Sequence, residues 1–363
     1  MDILEKMTVL IPIWSFGKAG GIKVLSTLSI YWAKLGIKTV YITYRNNDIL
    51  YYPVDGDVIY LDEYGRPSTR CRDVNEKKLF IKKIISLYRF IRKNKQLYDV
   101  ILANYCMTAY PVFFGNLFSR KNYYYIQCYE PIFFKQLDPC RRLLHSTLAY
   151  MTYFMPLKRI VNAEMYKRYK NIRSSKVIYP GLDFKIFFRK SSSDFHSPFR
   201  IGTIGREEVW KGTSVVNHAV NLLAKEIDNF VYIVAFKNSE AEKCINVKMV
   251  KPDSAELLSK FYRDIDILIA AGYGQHGAIH YPVLEAMASG TLVITTGYYP
   301  ATTENAIIVP EGKPEIIKEK ILEVIEGKIE VDKLIDNAHK AVSEQFSWEY
   351  VANQFLTCFR SRK

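Results

Sequence analysis

Cysteine is sparse along the 363 residues, and no two cysteines stand close together. The six, Cys71, Cys106, Cys128, Cys140, Cys244 and Cys358, form no C-x-x-C pair and lie mostly in apolar runs. That spacing excludes a small disulfide-stapled scaffold and fits a reducing cytosol. Long hydrophobic runs are also missing. The longest, Leu143 to Leu157, is broken by His145, Ser146 and Thr147 and falls short of the roughly 20 residues that span a bilayer, so no transmembrane segment is expected. The opening MDILEKMTVLIPIW places acids before a short apolar run, without a basic stretch or a small-residue cleavage site, and is expected to be a first strand rather than a signal peptide. No internal repeat is visible.

Acid is in deficit. Fifty-one Lys and Arg against 37 Asp and Glu leave a net charge of +14, which admits three partner classes: nucleic acid, an anionic membrane face, or an acidic small molecule such as a nucleotide sugar. No nucleic-acid motif accompanies the charge, so no nucleic-acid partner is expected.

What is present is ample. The length exceeds the usual ceiling for one core, and two domains are expected. Aromatic residues make up 14% of the chain, 27 Tyr and 20 Phe among them, spread over its whole length. Short β-rich runs alternate with helical patterns throughout, the signature of parallel sheets covered by helices. Expected strands are 8–13, 38–43, 58–61, 100–103, 123–127, 159–161 and 177–179, then 200–204, 231–235, 247–250, 265–270, 292–295 and 306–309. The Ser-rich stretch from Arg189 to Pro198 lacks periodicity and is the expected linker. Two α/β halves of this kind suggest two Rossmann-like domains whose sheets face a cleft.

Between Lys77 and Lys95, Phe80, Ile81, Ile84, Ile85, Tyr88 and Ile91 recur at helical spacing, with Lys78, Lys82, Lys83, Arg89, Arg92 and Lys93 on the other side. Such a helix either covers a sheet with a solvated face or is held near anionic lipid or an anionic acceptor.

Three local patterns bear on chemistry. The first strand runs into Trp14-Ser15-Phe16-Gly17-Lys18-Ala19-Gly20-Gly21 ahead of a helix, where either backbone approaches a phosphate at the positive end of the helix dipole or the turn is only a tight connection. The spacing is not G-x-G-x-x-G, and Thr43-Tyr44-Arg45 stands where a nicotinamide-binding site wants an acid. In the second half, Gly205-Arg206 and Lys211-Gly212 place two cations in one loop after a strand, which either bind a diphosphate and neutralise its charge as it leaves or are incidental to an exposed loop. In Tyr281-Pro282-Val283-Leu284-Glu285, Pro282 suits the first helical position and Glu285 the first turn, where a carboxylate could accept hydrogen bonds from a ribose diol or simply complement the dipole.

These residues, with Tyr179-Pro180-Gly181-Leu182-Asp183, Phe187 and the closing Phe346-Ser347-Trp348, resemble family 4 retaining glycosyltransferases in order and approximate spacing over essentially the whole chain. The resemblance implies a GT-B fold with an N-terminal acceptor domain over residues 1–180, a nucleotide-sugar domain over 181–345, and a last helix, 346–363, crossing back to the first. It implies that Arg206 and Lys211 hold the donor diphosphate and Glu285 the ribose; Gly20, Gly21, Gly205, Tyr281 and His280 are the further residues expected at the donor site. Two departures stand out. The family's second glutamate, eight positions before Glu285, is replaced by Gly277, and a histidine after the fourth strand by Asn104-Tyr105.

Tyr125-Ile126-Gln127-Cys128-Tyr129-Glu130-Pro131 together with His280 to Glu285 looks like the rhamnosyltransferase branch of bacterial surface-polysaccharide synthesis, which uses dTDP-L-rhamnose and lacks the same glutamate. Glu130 either accepts the acceptor hydroxyl's proton or caps a loop; His276 and His280 either touch the donor or are surface-loop residues. Asp264-Ile265-Asp266 matches a D-x-D metal motif but opens a buried strand, so neither metal nor cofactor is expected. The expected partners are a nucleotide diphosphate sugar and a glycan or lipid-linked acceptor, with the enzyme cytoplasmic, or peripheral on the inner membrane face. The rival reading is a scaffold that binds nucleotide sugar or glycan without transfer.

Overall fold

The computed structural model describes residues 7–47, 49–71, 79–131, 134, 137–172, 176–190 and 194–361. It divides into two units, Met1–Gly181 with Trp348–Lys363, and Leu182–Ser347.

In the first unit, β1 (Met7–Pro12), β2 (Ile37–Tyr44), β3 (Asp57–Leu61), β4 (Val100–Ala103), β5 (Asn122–Ile126), β6 (Lys158–Val161) and β7 (Lys176–Val177) form one sheet in the order β3-β2-β1-β4-β5-β6-β7. All pairings between them are parallel. Because side chains alternate across a strand and both faces are covered, the strands read as continuous apolar runs. Val9, Ile11, Tyr123 and Tyr125 pack with one set of helices, while Leu10, Tyr124 and Ile126 pack with the other. On the first face lie α1 (Gly20–Lys34) and the last helix, α10 (Trp348–Arg360). Trp32 of α1 meets Phe355 and Phe359 of α10 edge-on, at 5.5 and 5.8 Å, and Tyr123 donates its hydroxyl proton to the Cys358 carbonyl at 3.0 Å. On the second face lie α2 (Leu79–Asn94), α3 (Cys106–Gly115) and α4 (Pro139–Thr152).

In the second unit, β8 (Phe199–Ile204), β9 (Phe230–Ala235), β10 (Val247–Val250), β11 (Ile267–Ala270), β12 (Leu292–Thr295) and β13 (Ile307–Ile308) form a parallel sheet ordered β10-β9-β8-β11-β12-β13. It is covered by α5 (Thr213–Leu223), α6 (Ala255–Arg263), α7 (Tyr281–Ala288), α8 (Pro314–Ile325) and α9 (Val331–Gln345). Every strand expected from the sequence is present, with ends displaced by at most two residues.

Two expectations are corrected. Arg189–Pro198 is not a linker as far as it is described; Ser191, Ser192 and Ser193 lie outside the described residues. Its ends are tied into the second unit: Lys190 donates its amide to the Ser289 carbonyl at 3.0 Å, and buried Asp266 accepts the His196 amide and, at 2.8 Å, the Arg200 amide. A polar segment of this kind carries no periodicity because backbone bonds, not side-chain burial, hold it. The helix read from Lys77 is described from Leu79, so Lys77 and Lys78 lie outside. Its buried face is rotated from the expected one. Lys83 is buried with Ser86, Leu87, Phe90 and Ile91, whereas Ile81 is exposed. Lys83 spans to the strand ends, donating to the Trp14 carbonyl at 3.1 Å and Asn47 Oδ1 at 3.0 Å, and those acceptors make burial of an ammonium tolerable. Burial still pulls its pKa down.

Candidate functional site

In a parallel sheet of this order, neighbouring strands connect in opposite directions at β8 and β11, and ligands bind in the crevice outside their carboxyl ends. Thr203 Oγ1 donates to the Ile269 carbonyl at 2.9 Å and ties the two strands at that point. The loop that follows β8 is built to stay there. Gly205 donates its amide to the Ala235 carbonyl at 2.7 Å; the Arg206 amide donates to Thr213 Oγ1 at 3.2 Å and its carbonyl accepts from Asn238 Nδ2 at 2.7 Å. After one tight turn, Val209–Lys211, the chain enters α5 through Gly212 at φ 72°, where a Cβ would lie 1.8 Å from the Ala271 carbonyl oxygen. Only glycine satisfies both the left-handed backbone and that approach.

Arg206 and Lys211 thereby line one small pocket with Thr203 and Ile204 of β8, Leu268, Ile269 and Ala270 of β11, and His280 and Pro282. Burial first, and Arg206 second, hold the Lys211 ammonium below its ordinary pKa, with Glu208 opposing. The His280 ring stacks on Tyr298 at 4.2 Å and 15°. Burial, Lys211 and Arg206, in that order, depress its pKa well below the usual histidine value, so the ring is neutral near pH 7. Neither His280 Nδ1 nor the Tyr298 hydroxyl has a hydrogen-bond partner among the described residues, although both atoms are buried. Two cations, a neutral imidazole and unpartnered polar atoms at such a sheet end are the kinds of groups that can receive an anion with further hydrogen-bonding groups.

Glu285 is 7% exposed, and its Oε2 accepts a 2.8 Å hydrogen bond from the Tyr262 hydroxyl on α6. It does not sit in the first turn. α7 begins at Tyr281, with the Val283 amide already donating to the His280 carbonyl, so Glu285 falls one turn in and the first turn holds no acid. Tyr262 thereby orients the carboxylate from a neighbouring helix. Burial and then Glu285 push the Tyr262 phenol well up while Arg206 acts the other way, which puts guanidinium and carboxylate in one electrostatic neighbourhood. Tyr281, half-buried at the start of α7, has its phenol raised by burial and by Glu285. Nothing in the sequence marked Tyr262 or Tyr298; neither belongs to a motif, and each reaches the site only through tertiary packing.

His276 is exposed and its ring lies against Gly297, where a Cβ would come within 2.2 Å of Nδ1. Gly277 has φ 74° and donates its amide to the Gly297 carbonyl at 2.8 Å, so the position of the family's missing glutamate is one that L-residues adopt at a cost. Asp266 of the D-x-D triplet is consumed by the His196 and Arg200 amides, and no group of three metal-ligating side chains occurs among the described residues.

The remaining sites belong to the first unit. Gly20 and Gly21 are the first two residues of α1, at the carboxyl end of β1, and α1 has no side-chain cap. The Gly21 carbonyl accepts from Gln127 Nε2 at 3.2 Å, and a Cβ on Gly21 would lie 2.9 Å from that nitrogen. Asn104 Nδ2 donates to the Pro12 carbonyl at 2.8 Å, joining the ends of β1 and β4. Glu130 is 2% exposed and fully engaged: Oε1 accepts the Cys106 amide at 2.8 Å, and Oε2 accepts from the Tyr124 and Tyr153 hydroxyls. Neither the open proton acceptor nor the loop cap beside Pro131 describes it. It anchors the start of α3, and burial lifts its pKa to about 7.

Comparison with known proteins places similarities on the sequence and on the fold. Residues 198–327 match the family of group 1 glycosyl transferases. An uncharacterised glycosyltransferase of Methanocaldococcus jannaschii is 20% identical over 66% of the chain and 63% of its own length; the amylovoran biosynthesis glycosyltransferase AmsK of Erwinia amylovora is 23% identical over 46% of each. The chain thus spans about half to two thirds of the curated relatives it matches. Among solved structures, sucrose-phosphate synthase of Thermosynechococcus elongatus superposes with a TM-score of 0.69 at 16% identity over 98% of both chains. HepE of Anabaena, in complex with UDP and glucose, superposes with a TM-score of 0.67 at 15% identity over 98% of this chain and 100% of its own. Identities this low establish the fold. The chain has the GT-B fold, and its residues 198–327, the span that carries Arg206, Lys211 and Glu285, are similar to the group 1 glycosyl transferases.

Proposed function

We propose that the protein is a retaining glycosyltransferase that moves a sugar from a nucleoside diphosphate to a glycan or lipid-linked acceptor in surface-polysaccharide synthesis. The observation that carries the reading is the shared pocket of Arg206, Lys211 and His280 at the carboxyl ends of β8 and β11. In this reading the diphosphate lies against Arg206, Lys211 and the start of α5, and Glu285, steadied by Tyr262, takes the ribose diol. The bond between the anomeric carbon and the diphosphate oxygen breaks and the acceptor oxygen bonds to that carbon on the same face. The acceptor proton passes to the departing phosphate. Arg206 and Lys211 supply the charge that stabilises the leaving group, with no metal required. HepE, a structure with UDP-glucose, and AmsK, named for amylovoran synthesis, support the donor class and the polysaccharide setting.

The donor sugar is read as L-rhamnose from dTDP-L-rhamnose, on the segments Tyr125 to Pro131 and His280 to Glu285 and on the absence of a carboxylate at Gly277. Incubation with UDP-, GDP-, ADP- and dTDP-sugars and an acceptor panel, reading free nucleoside diphosphate, tests it. Arg206→Ala or Lys211→Ala should lower turnover by about 10² or more. Activity retained within a few-fold would sink the assignment, and thermal stabilisation by a donor without any nucleotide release would leave a binding protein instead.

A further inference from the structure

α4 is amphipathic in the reverse sense. Its inner side presents Ala149 and Thr152, both buried, with half-buried His145 and Ser146, whereas its outer side presents Leu143, Leu144, Tyr150 and Met151, 43 to 71% exposed. At 3.6 residues per turn these four outward side chains fall within about 120° of the helix circumference. Phe154, just beyond the helix, is 64% exposed and continues the stripe. The same helical layer adds Ile81 from α2 and Phe114, Leu117 and Phe118 at the end of α3, all exposed. The three helices are contiguous: Phe80 of α2 meets His145 of α4 at 5.9 Å, and the Tyr110 hydroxyl of α3 donates to the Leu148 carbonyl of α4 at 2.8 Å. A soluble monomer rarely leaves so much apolar surface together.

Charge selects the occupant. Residues 79–157 hold eleven Lys and Arg against three acids, Asp99, Glu130 and Asp138, and Glu130 is buried. The surplus of eight cations is more than half of the whole chain's +14. Lys82, Arg92 and Lys93 of α2, Arg120 after α3, and Arg141 and Arg142 of α4 are exposed. Two copies meeting on this face would oppose like charges, whereas a bilayer with anionic headgroups satisfies both the apolar helix face and the exposed basic residues of the same helical layer. No helix among the described residues is long and apolar enough to cross a membrane, so the helix would lie in the interface rather than span it.

We propose that the α2–α3–α4 face of the first unit docks on an anionic phospholipid surface, with Leu143, Leu144, Tyr150, Met151 and Phe154 inserted at the headgroup boundary. This surface deepens the reading of a lipid-linked acceptor, and its biological use rests on that reading; its lipid binding does not.

Co-sedimentation of the full chain with phosphatidylcholine vesicles, and with vesicles that also contain phosphatidylglycerol, tests it. Binding is expected to the mixed vesicles, to weaken with salt, and to fall about tenfold or more in Leu143→Ser/Met151→Ser/Phe154→Ser, since three inserted apolar side chains are lost. Because these positions are exposed, the variant should keep its melting temperature and its release of nucleotide from donor in solution. Absence of vesicle binding, or equal binding by the variant, would overturn the proposal. So would a concentration-dependent dimer in sedimentation velocity that the same substitutions abolish, which would assign the face to a second copy. If neither protein releases nucleotide while vesicle binding behaves as stated, the transferase reading fails and the docking surface stands.

Discussion

The Tyr262 hydroxyl on α6 and the Glu285 carboxylate on α7 meet at 2.8 Å inside the second unit, both side chains buried. A carboxylate out of bulk water needs such a donor to hold one orientation, and a fixed orientation is what recognition of a diol requires. Tyr262→Phe keeps the ring against Phe261 and Phe187 and removes only the donor. Affinity for nucleoside diphosphate, measured by titration calorimetry, should fall about 10- to 150-fold, the range of one hydrogen bond to a charged group. Glu285→Gln should shift it in the same direction. Unchanged affinity in both variants would place the ribose elsewhere.

Lys211 gives the donor pocket a pH dependence with a definite sign. Burial and the Arg206 charge favour the neutral amine, so its pKa lies below the ordinary 10.5. The ammonium is present at lower pH and lost as pH rises through that depressed value. Diphosphate affinity should therefore hold through neutrality and decline on the alkaline side earlier than an ordinary lysine would allow. Lys211→Arg, which keeps its charge, should abolish that decline even where it binds more weakly. The measurement is the nucleoside diphosphate dissociation constant against pH for the two proteins, and parallel curves would remove Lys211 from the phosphate contacts.

The sheets were legible in the sequence because parallel strands buried on both faces are short, unbroken apolar runs bounded by turns: Val231–Ala235 and Leu292–Thr295 need nothing beyond their composition. The Arg206 and Lys211 loop was legible for a similar reason, since strand, glycine and cations are contiguous in the chain. The Tyr262 to Glu285 bond was not, because it joins two helices whose meeting is decided by packing. Lys83 misled the helical pattern because its acceptors, Trp14 and Asn47, come from remote strand ends. Glu130 looked available because a strand-end carboxylate and a helix-anchoring one have the same local sequence; the helix it anchors begins 24 residues earlier.

Glu130 should leave a signature in stability against pH. Burial raises its folded-state pKa from 4.5 to about 7, with the Tyr124, Cys106 and Tyr153 hydrogen bonds limiting the rise. Between those values the folded chain holds a proton that the unfolded chain has released. The associated stability is fully present below the lower value and is lost as pH rises through the upper one. The unfolding free energy of the wild type minus that of Glu130→Gln should therefore fall between pH 5 and 8, by on the order of 3 kcal/mol at most. His280, neutral in the fold, contributes the opposite slope in both proteins and cancels in the difference. Urea unfolding across that range checks it, and a flat difference would show the carboxylate ionised at its usual value.

The return of the chain into the first unit depends on a missing side chain. At Gly181 a Cβ would stand 2.3 Å from Trp348 Cδ2 and 2.5 Å from Cε3, so the indole lies directly on the backbone there. Trp348 in turn stacks on Tyr31 at 6.2 Å and begins the helix whose Phe355 and Phe359 fill the core around Trp32. Gly181→Ala must push the indole away, and because Trp348 is 5% exposed it has little room to yield. Overpacking of this kind costs about 1 to 3 kcal/mol. The loss should appear in urea unfolding with an unchanged slope. In a Trp348→Leu background the same substitution should cost much less, because the ring that it strikes is gone, so the two changes should be strongly non-additive. Full additivity would mean that the indole does not rest on Gly181 in solution.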